Sequence, residues 1–225
     1  MKTATGFMLF ATLLLMLAPA VFGATTGIDS LFSTQAGDWR YGYYSSGSTF
    51  VQMNTYTPGA QEWWTTTDNG ISSSGAPVLG RSAASTVGEI MGTLGPGEVY
   101  FHPGPSVETV LRYIIPIAGD YTVNATFTSL DGGDKTYRIT DGAVTPVYTS
   151  PSLSGTGSAT TGSFLLTGLS AGATIDIVVN NNGWFGYDSG KVAATIDYVQ
   201  TGVPEPSTLL LLLAGAAGLC TLRRR

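Results

Sequence analysis

Two short clusters of aromatic side chains give this sequence its clearest candidate chemistry. The first cluster is Glu62-Trp63-Trp64, and the second is Asn180-Asn181-Asn182-Gly183-Trp184-Phe185 followed by Tyr187. Flat aromatic rings stack on sugar rings, and neighbouring amide or carboxylate groups bond to sugar hydroxyls. The alternative for each tryptophan is a buried plug that closes an end of the folded body. Carbohydrate binding is therefore predicted at Trp63, Trp64, Trp184 and Tyr187.

Catalysis would need paired acids, or a nucleophile with a histidine base. Glycoside hydrolases use two carboxylic acids, and the glutamates available for this are Glu62, Glu89, Glu98 and Glu108. A catalytic triad needs a histidine, and the single histidine, His102, precedes Pro103-Gly104 as a turn residue would. We predict no catalytic residues, and an enzyme acting on polysaccharide is the alternative.

Metal binding is limited by a scarcity of ligands. One histidine and one cysteine, Cys220, cannot build a zinc site. Calcium is bound by carboxylates and loop carbonyls, and this acidic chain could offer them at Asp131-Gly132-Gly133-Asp134. That segment has fewer ligands than a dedicated calcium loop and is typical of a tight turn. We predict no metal site and no cofactor, with calcium as the alternative.

Charge is distributed unevenly along the 225 residues. Of ten Lys and Arg, one is Lys2 and three are the last three residues, so six lie between the ends, whereas all 15 Asp and Glu lie between Asp29 and Glu205. The middle region therefore carries 6 − 15 = −9 charges. Such an acidic region repels phosphate backbones, which excludes a nucleic-acid partner. A single cysteine allows no intramolecular disulfide, so packing must stabilise the fold.

Side chains alternate with a period of two in several segments, which predicts half-buried antiparallel strands. Between Tyr121 and Thr128 the pattern places Val123 and Phe127 toward the core, and Thr122 and Thr126 outward. Three more segments should each turn one face to the core: Trp39, Tyr41 and Tyr43; Ile175, Ile177 and Val179; Val192, Ala194, Ile196 and Tyr198. Shorter strands are expected at 50–53, 62–65 and 77–80, with a long loop from 66 to 94.

Turn residues separate these segments at short intervals. Pro116 has no N–H for a ladder and should end the strand that begins near Val107. Asp141-Gly142 predicts a two-residue hairpin between strands at 135–140 and 143–149, and segments 131–134 and 170–172 are further turns. Short strands at this spacing predict an all-β fold, a single antiparallel β-sandwich of the jelly-roll type over residues 24–202.

Residues 1–23 have the order of a secretory signal peptide. Lys2 gives a positive start, residues 7–17 are apolar, and small residues surround Ala20 and Gly23. These features predict export through the Sec machinery and cleavage by signal peptidase after Ala20 or Gly23.

The last 23 residues, 203–225, have a different order. Val203, Pro204, Glu205 and Pro206 are followed by an apolar run from Leu209 to Leu222 and then by Arg223, Arg224 and Arg225. This run predicts a short transmembrane helix of roughly 21 Å, whose arginines anchor it on the cytoplasmic side. The two prolines keep the segment before it extended and accessible to a processing enzyme.

This arrangement resembles the PEP-CTERM sorting signal in order, spacing and position. The resemblance implies a Gram-negative bacterium that makes extracellular polysaccharide, and cleavage near Pro204-Glu205-Pro206 by an exosortase. In the body, Tyr100 to Gly104 with Val110 to Tyr113 and Ala118 to Val123 resembles galactose-binding-like jelly-roll domains of secreted bacterial proteins. That second resemblance implies the fold and carries no catalytic motif.

These features predict an exported protein that its tail first holds in the inner membrane, and that then reaches the cell surface or the extracellular matrix. Its predicted role is structural or carbohydrate-binding, with exopolysaccharide as the partner. The alternatives are an enzyme acting on matrix polysaccharide and an adhesin that binds protein.

Overall fold

The computed structural model describes most of the body of the chain, namely residues 25–28, 32, 34–35, 37–45, 49–59, 61–66, 77–82, 94, 98–142, 145–180, 182–183 and 186–199. The chain divides into two units, and all of these residues belong to the unit Ala24–Val199. The predicted signal peptide, the sorting motif and the predicted transmembrane helix at 209–222 lie outside the described residues. Within the described ranges, no helix is long and apolar enough to cross a membrane.

Every regular element in the described part of the chain is a β-strand. The strands are β1 Thr25–Gly27, β2 Trp39–Tyr44, β3 Phe50–Gln52, β4 Thr55–Thr57, β5 Gln61–Thr65, β6 Val78–Ser82, β7 Glu98–His102, β8 Glu108–Ile114, β9 Gly119–Ser129, β10 Thr136–Thr140, β11 Pro146–Thr149, β12 Ser158–Thr160, β13 Phe164–Leu169, β14 Thr174–Asn180 and β15 Gly190–Val199.

These strands form two sheets whose inner faces share one core. The nine-stranded sheet has the order β12-β9-β15-β7-β6-β5-β4, with β13 beside β9 and β1 beside β15. The six-stranded sheet has the order β11-β10-β14-β8-β2-β3. Every pairing between these strands is antiparallel. The predicted all-β antiparallel sandwich is confirmed.

The core is filled by the faces that the alternation predicted. On β9, Val123 and Phe127 are fully buried and Thr126 is exposed, as expected. Thr122 is only half-buried because β13 pairs beside it at Leu165. The other predicted core residues are also buried, except Tyr198, which packs half-buried at the edge of the core: Trp39, Tyr41, Tyr43, Ile175, Ile177, Val179, Val192, Ala194 and Ile196.

Strand β14 differs from the prediction because both of its faces are covered. Asp176 and Val178 were expected to face solvent, and both are fully buried. On this outer face of the six-stranded sheet, Tyr44 packs with Val110 and Val178 and donates its hydroxyl hydrogen bond to Asp176. Alternation identifies an apolar face, but it does not show that long side chains from neighbouring strands cover the other face.

The connection between β10 and β11 is longer than predicted. Thr140 pairs with Pro146, so five residues, 141–145, join these strands instead of two. Gly142 has a φ of 85°, the left-handed conformation that makes Asp-Gly a turn signal. Pro146 begins β11 at the edge of the sheet, where a missing N–H costs no ladder bond. The turn prediction was right in position and wrong in length.

Candidate functional site

At one end of the sandwich, the β9–β10 and β14–β15 connections meet each other and β7. The N–H of Gly133 donates to the carbonyl of Tyr187 at 2.7 Å, and the N–H of Leu130 donates to the carbonyl of Ser189 at 2.9 Å. The hydroxyl of Ser189 lies 3.1 Å from the hydroxyl of Tyr100 on β7. We call this group, residues 130–135 and 186–189 with Tyr100, the loop end.

Tyr187 is the exposed aromatic side chain of the loop end. It is 68% exposed, and its φ of 62° lies in the left-handed region, which is costly for a residue with a side chain. A Cβ atom at Gly133 would lie 2.2 Å from the carbonyl oxygen of Tyr187, so only glycine permits this close contact. The ring therefore points outward from a backbone that its neighbours hold in a strained conformation.

A buried lysine holds the two connections of the loop end together from the core side. Lys135 is fully buried, and its ammonium donates to Ser129 Oγ at 2.7 Å and to Asp131 Oδ1 at 2.9 Å. The second oxygen of Asp131 accepts the N–H of Ser189 at 2.9 Å. A buried ammonium requires such partners, since an unpaired charge in the interior is strongly destabilising. This pairing ties the start of β10 to both connections.

Asp188 adds a second carboxyl group to this buried cluster. It is only 1% exposed, and the described residues give its Oδ2 no hydrogen-bond partner. Burial raises the pKa of Asp188 to about 7; the ammonium of Lys135 opposes this shift, and the carboxylates of Asp131 and Asp134 add to it. Asp188 therefore changes its charge near neutral pH.

The two adjacent tryptophans of β5 lie on opposite faces of the nine-stranded sheet. Trp64 faces the core with 9% exposure, and its indole N–H donates to the carbonyl of Phe32 at 2.7 Å. It is the plug that was the alternative for this position, and its ring offers no open face. Trp63 is half-buried on the outer face, where it packs against Leu94 and Tyr100.

The second aromatic cluster is described only in part. Trp184 and Phe185 lie outside the described residues. Asn182 is exposed, has a φ of 44°, and accepts a hydrogen bond from the hydroxyl of Thr136 at 3.2 Å. The carbohydrate-binding role of Trp63, Trp184 and Tyr187 stays a prediction.

The glutamates considered for glycoside hydrolysis form ion pairs wherever the structure describes them. The pairs are Glu62 with Arg81 at 3.1 Å, Glu98 with Lys191 at 2.7 Å, and Glu108 with Arg138 through both carboxylate oxygens. Glu89 lies outside the described residues. Each of these three carboxylates is therefore neutralised by a basic side chain of its own sheet.

His102 lies at the end of β7. Its Nδ1 is 2.7 Å from the carbonyl oxygen of Pro103, so Nδ1 carries the hydrogen and donates it there. Burial lowers the pKa of His102, which favours the neutral ring.

One serine has the spacing of a nucleophile elbow, which the sequence analysis did not recognise. Gly168-Leu169-Ser170-Ala171-Gly172 matches Gly-x-Ser-x-Gly, but that elbow requires a strand, a sharp turn and then a helix. Here Ser170 lies in the exposed turn that leads from β13 into β14 of the other sheet. The local structure therefore does not present this serine as an elbow nucleophile.

At the predicted turn 131–134, the carboxylate of Asp131 is bound by Lys135 and by the N–H of Ser189. Among the described residues, no group of three or more His, Cys, Asp or Glu side chains could hold a metal ion. The calcium alternative stays a prediction.

Sequence reasoning missed the buried cluster, although one signal for it was available. Lys135 shares the period-two phase of Tyr137 and Ile139, which both face the core, and so belongs to the inward face of β10. Its acidic partners come from the turn before it and from a connection more than fifty residues later. Only the fold brings these groups together.

The comparisons with known proteins begin with the tail. Residues 202–225 match the family model of the PEP-CTERM protein-sorting motif. The chain ends in a PEP-CTERM sorting motif. The match confirms the resemblance seen at Val203 to Pro206 and at the terminal arginines. The PEP-CTERM motif implies export, membrane-associated sorting to the cell surface and an exosortase as the processing partner. No curated protein matches the chain.

Several solved structures are similar to the body upstream of the PEP-CTERM motif. A carbohydrate-binding module, CBM4, is 15% identical over 61% of this chain and 87% of its own, with a TM-score of 0.37. A cyclase from Fischerella sp. TAU in complex with an indolyl butanone is 12% identical over 70% of this chain and 95% of its own, with a TM-score of 0.39. The module TmCBM61 in complex with β-1,4-galactotriose is 13% identical over 72% of this chain and 88% of its own, with a TM-score of 0.27. No residue role is transferred from these structures.

Proposed function

We propose that this protein is a cell-surface or matrix protein whose body binds exopolysaccharide at the loop end, with Tyr187 as a stacking ring. The PEP-CTERM motif supports the destination. The outward ring of Tyr187 supports the activity, because sugar stacking needs one open aromatic face.

The packing beneath Tyr187 supports this proposal. A residue with a side chain adopts the left-handed conformation only where surrounding contacts compensate for the strain. Here the contacts are the hydrogen bond from Gly133 and the buried pair of Lys135 and Asp131. A backbone that is already fixed before binding loses little conformational entropy on contact with a ligand.

We expect Tyr187→Ala to weaken glycan binding about tenfold while leaving the free energy of unfolding within about 0.5 kcal/mol, because the lost ring is exposed. Binding is measured by a glycan array followed by calorimetry with the best polysaccharide. Leu165→Ala is the matched control, since Leu165 is also exposed, at 53%, but lies on β13. Undiminished binding by Tyr187→Ala contradicts the site. If the wild-type protein binds no glycan, the carbohydrate-binding role is wrong and the structural role remains.

Sorting by the tail is tested separately from binding. Replacing Pro204, Glu205 and Pro206 together by alanine removes the segment that we propose the exosortase reads, while the apolar run and the arginines stay. We expect full-length protein to accumulate in the inner membrane, and mass spectrometry of membrane and surface fractions checks this. Normal processing of the triple variant would show that the enzyme reads another part of the tail.

A further inference from the structure

The outer face of the six-stranded sheet carries two arginines at directly opposite positions. Arg40 on β2 pairs in register with Arg112 on β8. Both side chains leave the sheet on the outer face, because the neighbouring residues Tyr41 and Leu111 point into the core. Like charges at opposite positions destabilise a sheet unless an anion lies between or beside them.

For Arg112 the chain itself supplies this anion. Its Nε and Nη2 each donate to one oxygen of Asp176 at 2.7 Å. Its guanidinium also lies over the ring of Phe50, 3.9 Å from the ring centre. Arg112 is thus fixed in place on the outer face.

For Arg40 the described residues supply no carboxylate within ion-pair distance. Its Nη1 donates to the carbonyls of Gly37 and Trp39, both at 2.8 Å. These bonds orient the guanidinium but leave its positive charge unneutralised. They also leave Nε and Nη2 as donors.

The two outer faces differ in their local charge. On the six-stranded sheet the outward charged residues are Arg40, Arg112 and Arg138 against Glu108 and Asp176, which gives 3 − 2 = +1. On the nine-stranded sheet they are Lys191 against Glu98, Asp120 and Asp197, which gives 1 − 3 = −2. Charges beyond about 8 Å are largely screened at physiological salt, so an anion is governed by the local balance more than by the acidic body as a whole.

We propose that the outer face of the six-stranded sheet binds a carboxylate-bearing polysaccharide, with Nε and Nη2 of Arg40 at the carboxylate of one uronic-acid residue and Arg112, which is paired with Asp176, beside it. A guanidinium matches a planar carboxylate with two parallel hydrogen bonds. One surplus positive charge suits a chain that carries one charge per sugar better than a densely charged phosphate polymer. This site is separate from the loop end and does not depend on sugar binding by Tyr187.

The test compares polygalacturonate with its methyl ester, which keeps the sugar backbone and removes the charge. We expect wild-type protein to bind polygalacturonate in preference to the ester, and Arg40→Gln to weaken that binding about tenfold, the loss of one charge-assisted hydrogen bond. Lys191→Gln is the control, because it changes the net charge equally on the other sheet and should alter binding less than about twofold. Leu165→Ala, which alters an exposed side chain of the nine-stranded sheet, should bind polygalacturonate as the wild type does.

The proposal is overturned if Arg40→Gln binds like the wild type, if Lys191→Gln weakens binding equally, or if the ester binds as well as the acid. Wild-type protein that binds neither polymer overturns it too. Thermal unfolding verifies that Arg40→Gln is folded. Arg40→Lys gives a second test, because it keeps the charge without the planar donors and should bind between the wild type and Arg40→Gln.

Discussion

Replacing Phe127 by alanine should lower the free energy of unfolding by roughly 3 to 5 kcal/mol. Phe127 is fully buried near the C-terminal end of β9, and its ring is stacked on Tyr137 with 4.6 Å between ring centres and 15° between planes. The ring of Tyr148, on β11 beside β10, is also stacked with that of Phe127, with 6.1 Å between the ring centres. Because these rings are held by two sheets, they cannot close around the space that the phenyl group leaves. Denaturant unfolding of the purified body measures the loss.

The neighbouring residue provides the matched control for this variant. Thr126 is exposed and makes one hydroxyl contact, at 3.3 Å, with Thr160 on β12. Thr126→Ala should therefore change the free energy of unfolding by less than about 0.5 kcal/mol. Equal losses in the two variants would mean that β9 does not turn Phe127 inward.

Stability should depend on the protonation of Asp188. The pKa of Asp188 is raised from 3.8 to about 7 in the fold. Between these pH values the folded protein therefore holds a proton that the unfolded chain has released. Below this interval the group is neutral in both states and costs nothing. As the pH rises through the interval, the unfolded chain gains charge more readily than the fold, and stability falls. We expect Asp188→Asn, which cannot ionise, to gain on the order of 3 kcal/mol relative to wild type between about pH 4 and pH 8.

Asp141→Asn is the control for this pH dependence, since Asp141 lies in the β10–β11 connection and is not among the charges that shift the pKa of Asp188. Its stability curve against pH should run nearly parallel to that of the wild type. Melting temperatures measured at several pH values decide the outcome. If the difference between Asp188→Asn and the wild type does not change with pH, the carboxyl group is not held neutral in the fold.

Period-two patterns were sufficient to predict the sandwich because a strand buried on one side repeats its apolar residues at every second position. The alternation correctly predicted the inward faces of β9 and β15 and the burial of Tyr41 and Tyr43 in the core. The sorting motif was equally accessible, since its features are contiguous in sequence. Both predictions use information that lies within one short segment.

The candidate sites depend on contacts between distant segments, which explains why they were predicted less well. Adjacent residues of a strand face opposite sides, so Trp63 and Trp64 had to separate, but the sequence did not show which one faced inward. The burial of Asp176 depends on Tyr44, 132 residues earlier in the chain. The opposition of Arg40 and Arg112 depends likewise on the register between β2 and β8. No local pattern contains such a register.

Strand β15 has a mechanical consequence for the surface role that we propose, if the C-terminal end serves as the tether. It pairs with β9 at every residue from Gly190 to Val199, and with β7 and β1 on its other side. The sorting motif follows this strand directly, at residues 202–225. A force applied along the axis of β15 loads its ladder hydrogen bonds in shear, because they run across that axis. Ten residue pairs between β15 and β9 then resist this force together. A strand at the edge of the sheet could instead be pulled away one hydrogen bond at a time.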